Sequence, residues 1–204
     1  MKLYAVTDRS WLRPEEKLAQ AVEELLEAGV TLVQLREKEA EDAFFLEEAI
    51  QLRELCARYG VPLIINDRPD IAKKAGAAGV HVGLSDMGIE KAREMLGADF
   101  IIGGSAHNVE EARRAQEAGA DYLGCGAVFG SSTKRDVSLL AFSELKAICQ
   151  SVTIPVVAIG GIRLDNLGEL TGCGVAGVAV ISGLFAAADK KSAAEAYLKR
   201  LETV

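Results

Sequence analysis

The 204-residue sequence predicts an α/β protein folded as a single (β/α)8 TIM barrel over residues 1–204. Three observations carry this. Short β-branched runs alternate with longer amphipathic ones from one end to the other. Several runs are apolar at successive positions, as in Leu63-Ile64-Ile65 and Val156-Val157-Ala158-Ile159, which is the habit of parallel strands covered on both faces by helices. A small motif also recurs before every second run: Ala28-Gly29-Val30, Ala75-Gly76-Ala77, Ala118-Gly119-Ala120 and Cys173-Gly174-Val175. Its glycine supplies the left-handed turn that ends a helix. A doubly wound sheet is the other architecture with this alternation, but it leaves two edge strands, and no run has edge character.

The elements follow in order. The first strand spans 2–6, and the helix after it spans 15–27, with Leu18, Ala21, Val22 and Leu25 on one face. The second strand spans 31–35, followed by a helix at 43–59 carrying Leu46, Ile50, Leu52 and Leu55. Strands at 62–65 and 79–82 are each followed by a helix start, near Pro69 and Gly88. The fifth strand, 100–103, leads to a helix at 108–118 opened by Asn108, with Glu111 placed for a capping box. Strands at 122–124 and 155–159 come next, with a helix start near Asp165. The eighth strand, 177–181, runs into a short helix at 182–187. A closing helix at 191–202 turns Ala194, Tyr197, Leu198 and Leu201 inward.

Composition narrows the function. Thirty acidic against twenty-three basic side chains give a net charge of −7, which argues against nucleic-acid binding but not against a local cationic pocket. No apolar stretch reaches the ~18 residues of a membrane span. The longest candidate, 174–188, is broken by Gly177, Ser182 and Gly183, and the opening MKLYAVTD is too short for a secretory core. Cys56, Cys125, Cys149 and Cys173 form no C-x-x-C pair and sit in apolar segments, as expected of reduced thiols in a cytoplasmic protein. Small molecules rather than nucleic acid or membrane are the expected partners, and a homo-oligomer is left open.

In a TIM barrel ligands bind at the C-terminal ends of the strands. After the second strand, alternation points Gln34, Arg36 and Lys38 into the mouth and Leu35 and Glu37 away from it. After the third and fourth come Asn66-Asp67-Arg68 and His81-Val82-Gly83-Leu84-Ser85-Asp86. Asp67 and Asp86 end neighbouring strands. Two carboxylates beside Arg36 and Lys38 are what a magnesium–diphosphate site requires, because a hard cation bridges carboxylate and phosphate oxygens. His81, inside an apolar strand, reads as a satisfied core histidine, and His107 as structural or exposed. Gly103-Gly104-Ser105 offers small residues and a hydroxyl. The loop Gly130-Ser131-Ser132-Thr133-Lys134-Arg135 reads as an anion clamp. Gly160-Gly161 after the seventh strand, with Ile181 and Ser182 opening a short helix after the eighth, form the phosphate cradle usual in this barrel. Two anion sites in one pocket result, one cationic and metal-assisted, the other built from backbone.

These segments together resemble the thiamine phosphate synthase family over nearly the whole chain. The resemblance rests on YAVTD (4–8), VQLREK (33–38), INDR (65–68), GVHVG (79–83) with Asp86, GGSAH (103–107), the Ser131–Lys134 loop, VAIGGI (157–162) and VAVIS (178–182). Here Leu84-Ser85 stand where the family usually has Gln-Glu, and Gly130 where its phosphate loop usually has Pro. The resemblance implies a transferase that joins hydroxymethylpyrimidine diphosphate to hydroxyethylthiazole phosphate, with magnesium as cofactor. It implies that Gln34, Arg36, Lys38, Asn66, Ser105 and Lys134 hold the pyrimidine diphosphate. Asp67 and Asp86 would bind magnesium. Ser131, Thr133, Gly161, Ile181 and Ser182 would hold the thiazole phosphate. Leu35, Glu37 and Ser132 are counted with the substrate-binding segments, and Lys134, Arg36 and Lys38 with catalysis. A thiazole tautomerase-like isomerase and a non-catalytic phosphate-binding barrel are the alternatives. Neither would need Asp67, Asp86 and Lys134 together.

Overall fold

The computed structural model describes residues 1–83, 88–130 and 139–204. Eight parallel strands close on themselves in sequence order: β1 (Leu3–Val6), β2 (Leu32–Leu35), β3 (Leu63–Asn66), β4 (Gly79–Val82), β5 (Ile101–Ala106), β6 (Tyr122–Cys125), β7 (Val156–Ile159) and β8 (Gly177–Val180). Closure pairs β8 with β1, Ala179 opposite Tyr4, so no edge remains. Around the barrel lie α1 (Leu18–Glu27), α2 (Asp42–Arg58), α3 (Pro69–Ala75), α4 (Ile89–Leu96), α5 (Val109–Glu117), α6 (Phe142–Ser151), α7 (Ser182–Phe185) and α8 (Lys190–Leu201).

The alternation of strand side chains divides the core in two. Leu3, Ala5, Val33, Leu35, Leu63, Ile65, Val80, Ile102 and Val178 face the helices and join Leu18, Leu25, Phe45, Leu52, Leu145 and Phe185 in one continuous layer. Burying each leucine there contributes about 1.5–3 kcal/mol. The inward positions form a smaller core of Tyr4, Val6, Leu32, Ile64, Tyr122, Val157 and Ala179. The ladder register carries this inward set upward to Gln34 beside Ile64, Asn66 beside His81, and Ser105 beside Gly124. The barrel is therefore apolar at its floor and polar at its C-terminal mouth.

The recurring glycines take up the left-handed backbone expected of them: φ is 98° at Gly29, 65° at Gly76, 95° at Gly119 and 86° at Gly174. The structure departs from the sequence expectation in three places. β3, β5 and β6 each run further than the apolar runs, because Asn66, Ser105 and Cys125 keep ladder partners although polar or small. α6 has no counterpart among the periodic segments, for it buries only Leu145 and Ile148. The helix expected near Asp165 is a single 3-10 turn, Leu167–Leu170. Arg200 of α8 packs against Gly168, and Gly172 follows with φ 79°, which stops the turn from lengthening.

Candidate active site

β2 supplies the first side of the site. Gln34, Arg36 and Lys38 line a cavity of about 370 Å³ at the mouth, together with Asn66, Asp67, His81, Ser105 and Ile181. The backbone after β2 is held by Thr7, whose hydroxyl accepts the Arg36 N–H at 2.9 Å. The Arg36 guanidinium faces Asp8 at 3.8 Å. Asp8 accepts from the Ser10 N–H at 3.0 Å through Oδ1, which leaves Oδ2 turned toward the guanidinium. Leu35 and Glu37 do not line the cavity. Leu35 is fully buried against the helices, and Glu37 accepts from Arg9 Nε at 2.7 Å. Burial pushes the Glu37 carboxyl up, Arg9 pulls it back, and the neighbouring Glu48 adds to the rise.

Asp67 follows β3 with φ 59°, the left-handed region that only glycine enters at no cost. The twist keeps its carboxylate from capping α3. Arg68 is the N-cap residue there and, having no acceptor, makes no side-chain cap; its guanidinium pairs with Asp70 at 2.8 Å and Asp42 at 2.6 Å. Asp67 instead accepts from Asn66 Nδ2 at 2.5 Å and from the Gly83 N–H at 3.3 Å. A strained residue whose carboxylate borders a cavity is the kind of backbone found at functional sites. Asp86 lies outside the described residues.

A chain of side chains crosses the barrel beneath these groups. Gln34 Nε2 donates to Tyr4 Oη at 2.6 Å, and Tyr4 Oη meets Tyr122 Oη at 2.8 Å. Tyr122 Oη lies 3.0 Å from His81 Nδ1, and His81 Nε2 lies 3.2 Å from Ser105 Oγ. Both tyrosines are buried, which raises their pKa values well above the usual range and keeps them neutral. The Tyr122 and His81 rings fill the space a Cβ on Gly103 would take, and the His81 ring would press closely on one at Gly124. Gly104 faces the other way, against Ile89. Thus neither glycine of the 103–104 pair opens the backbone to a ligand. Sequence reasoning missed Tyr4 and Tyr122 as part of the site; His81 is the satisfied histidine expected, and His107 is exposed and 3.3 Å from Glu111 as expected, but both also border the cavity. The available signal was two inward tyrosines, whose hydroxyls need partners when buried, beside two inward glycines.

The opposite side is built of backbone. Gly160 and Gly161 take φ of 98° and 65°. A second cavity of about 210 Å³ is lined by Gly130, Gly161, Arg163, Ile181 and Ser182 among others. Asn166 holds the turn, donating to the Gly161 carbonyl at 3.0 Å and accepting the Arg163 N–H at 2.8 Å. Ile159, Gly160, Ala179 and Ile181 line both cavities, so the two abut. Ser131, Ser132, Thr133 and Lys134 lie outside the described residues.

Comparison with known proteins decides the family. The pattern of the family described as thiamine monophosphate synthase matches residues 3–184. The thiamine-phosphate synthase of Clostridium acetobutylicum is 52% identical over 91% of this chain and 88% of its own length. That of Methanobrevibacter smithii is 48% identical over 99% and 96%. The thiamine phosphate pyrophosphorylase structure from Pyrococcus furiosus superposes with a TM-score of 0.90 at 42% identity, covering 98% of this chain and 95% of that one. The chain belongs to the thiamine monophosphate synthase family.

That membership makes it a transferase of thiamine phosphate synthesis acting on phosphorylated small molecules. The mouth is the place in the fold that suits this. Two larger hollows among the described residues lie on the outer helices: one of about 690 Å³ along α1, lined by Arg13 and five glutamates including Glu16 and Glu23, and one of about 520 Å³ lined by Glu23, Glu54 and Arg58. Among the described residues no group of three or more His, Cys, Asp or Glu could hold a metal ion. Asp67 nonetheless has the donor chemistry of a magnesium ligand, a hard carboxylate at the cavity wall. Its link to Gly83 ties it to the segment that leads to Asp86. All four cysteines are free thiols, and burial raises Cys56 and Cys125 to about 12. No helix among the described residues is long and apolar enough to cross a membrane.

Proposed function

We propose that this chain joins hydroxymethylpyrimidine diphosphate to hydroxyethylthiazole phosphate, releasing diphosphate and forming thiamine phosphate, with its two cavities divided between the two substrates. The observation that carries the division is the shared wall of Ile159, Gly160, Ala179 and Ile181, with cations and polar side chains on one side and a glycine turn on the other. Gln34, Asn66 and Ser105 hold the pyrimidine. Arg36 and Lys38 hold the diphosphate, and the family resemblance adds Lys134 to them. Gly161, Ile181 and Ser182 hold the thiazole phosphate, with Ser131 and Thr133 completing the clamp.

The reaction exchanges one bond for another. The bond from the pyrimidine methylene carbon to diphosphate oxygen breaks, and diphosphate keeps the electron pair. The thiazole nitrogen then supplies its lone pair to the same carbon. No proton has to be removed for either event, so the absence of a nucleophile–base pair among the motifs is consistent with the chemistry. The chain's task is to hold the two substrates in line and stabilise the departing anion with Arg36, Lys38 and Lys134. Asp67 and Asp86 would hold magnesium, which when bound offsets charge on the diphosphate oxygens.

The direct test is to incubate the purified protein with both precursors and magnesium. Thiamine phosphate and diphosphate should appear in equal amounts. Consumption of either precursor alone, or isomerisation of a thiazole substrate without coupling, would refute the reading.

A further inference from the structure

The hydrogen-bond chain under the mouth has a direction, and the direction determines what the site offers its ligand. Gln34 is buried and donates an amide N–H to Tyr4 Oη at 2.6 Å. Tyr4 is 2% exposed, so its own proton needs an acceptor, and Tyr122 Oη stands 2.8 Å away. Tyr122 is fully buried and has one proton to place. Having accepted from Tyr4, it can place that proton only on His81 Nδ1, at 3.0 Å. A neutral imidazole that accepts at Nδ1 carries its proton on Nε2. His81 Nε2 then donates to Ser105 Oγ at 3.2 Å. With the Gln34 N–H on Tyr4, the opposite sense would have Tyr4 accept twice and leave its proton unused inside the barrel; only a Gln34 amide turned over, with the His81 proton on Nδ1, would satisfy the reverse chain. With the amide as it stands, the opposite sense is therefore disfavoured.

We infer that Tyr4, Tyr122 and His81 are positioning residues: the chain they form fixes the Gln34 amide with its oxygen free toward the cavity and turns the Ser105 hydroxyl into a donor toward the ligand. The site then presents one acceptor, Gln34 Oε1, and one donor, Ser105 Oγ–H, from strands on either side of Asn66. The complementary ligand carries an amino group at the Gln34 end and an acceptor, a ring nitrogen or phosphate oxygen, at the Ser105 end. An aminopyrimidine has this pattern, and a 4-oxopyrimidine, with a carbonyl in place of the amino group, does not. The sequence commits two strand positions to the arrangement. A side chain at Gly103 would strike Tyr122 and His81, and one at Gly124 would crowd the His81 ring. The identity of the ligand rests on the function proposed above, whereas the direction of the chain does not.

Two measurements test this. The sequence has only two histidines, so nitrogen-resolved NMR of the labelled protein assigns the neutral tautomer of His81 readily. The proton is expected on Nε2, and a proton on Nδ1 in active enzyme overturns the inference alone. The second measurement compares kcat/KM for the aminopyrimidine diphosphate with that for its 4-oxo counterpart. Tyr122→Phe removes the central link without touching a ligand. It should lower the preference for the amino substrate at least tenfold and leave KM for the thiazole phosphate within twofold. Tyr4→Phe should act in the same direction. Unchanged preference in both folded variants refutes the positioning role. If the parent protein uses neither pyrimidine but His81 bears its proton on Nε2, the synthase reading fails while the direction of the chain stands.

Discussion

The two halves of the barrel mouth are built by different means, and on the proposed function each would hold its anion differently. On β2 to β5 the site is made of side chains: Gln34, Arg36, Lys38, Asn66, Asp67 and Ser105; of these residues, Arg36, Asp67 and Ser105 are bonded to Thr7, Gly83 and His81 respectively. On β7 and β8 it is made of main chain: two glycines with positive φ, a carbonyl held by Asn166 and a turn at Ser182. Charge is long-ranged and tolerates a small displacement of the ligand. Backbone N–H groups act at hydrogen-bond distance and demand a fixed turn. The first half should therefore fail by loss of charge and the second by loss of shape.

The largest effect is expected where charge and strain meet. Asp67→Asn keeps a side chain that accepts the left-handed backbone, so it removes the negative charge with little change of fold. Turnover at saturating substrates should fall at least about a hundredfold, equivalent to about 2.7 kcal/mol of lost transition-state stabilisation. Stripping magnesium from the parent protein with a chelator should have an effect of the same order, reversed by adding the metal back. Steady-state kinetics with and without metal checks both. A charge-blind half of the site would show neither.

A carboxylate placed in the other half should act through the ligand rather than the step. Ser182→Asp puts negative charge beside Gly161 and Ile181, where the thiazole phosphate is proposed to sit. Its KM should rise at least about tenfold, or about 1.4 kcal/mol, while calorimetry shows the pyrimidine diphosphate bound as before. Loss of both ligands in a folded variant would show that the halves are not separate.

The same contrast explains what the sequence discloses. Continuous apolar runs mark buried parallel strands, and helix-ending glycines mark every second one, so the barrel is legible without a structure. So is the inward set Gln34, Arg36 and Lys38, because strand alternation alone assigns it. The Tyr4–Tyr122–His81 chain is legible only as two inward tyrosines beside inward glycines, without the pairing that joins them. Its members are far apart in sequence, and tyrosine in a strand counts as an apolar residue until the ladder shows which hydroxyls meet. The twist at Asp67 is hidden for a similar reason. Arg-Pro after an aspartate looks like a capped helix start, and only the positive φ shows that the carboxylate is turned elsewhere. The helix missing after β7 reflects packing, since Arg200 comes from the far end of the chain.

The smallest effect sharpens the comparison, because it tests shape without charge. Tyr197 of α8 is 2% exposed and donates from Oη to the Ile162 carbonyl at 3.1 Å, directly behind the Gly160–Gly161 turn. The same hydroxyl lies where a Cβ on Gly183 would stand, so it touches both the β7 turn and α7. Burial raises its pKa to about 12, so it remains a neutral donor at any pH at which the protein would be assayed. Tyr197→Phe deletes that oxygen and nothing else. One hydrogen bond to a buried carbonyl is worth about 1 kcal/mol, and thermal unfolding should report a loss of that size. The turn it braces should loosen, raising KM for the thiazole phosphate about two- to threefold with kcat unchanged, as expected for an interaction of less than about 1 kcal/mol felt equally by ground and transition states. The pyrimidine diphosphate, proposed to sit on the far side, should bind the variant as it binds the parent. An equal rise in KM for both substrates would mean that Tyr197 supports the whole barrel mouth and not the backbone half alone.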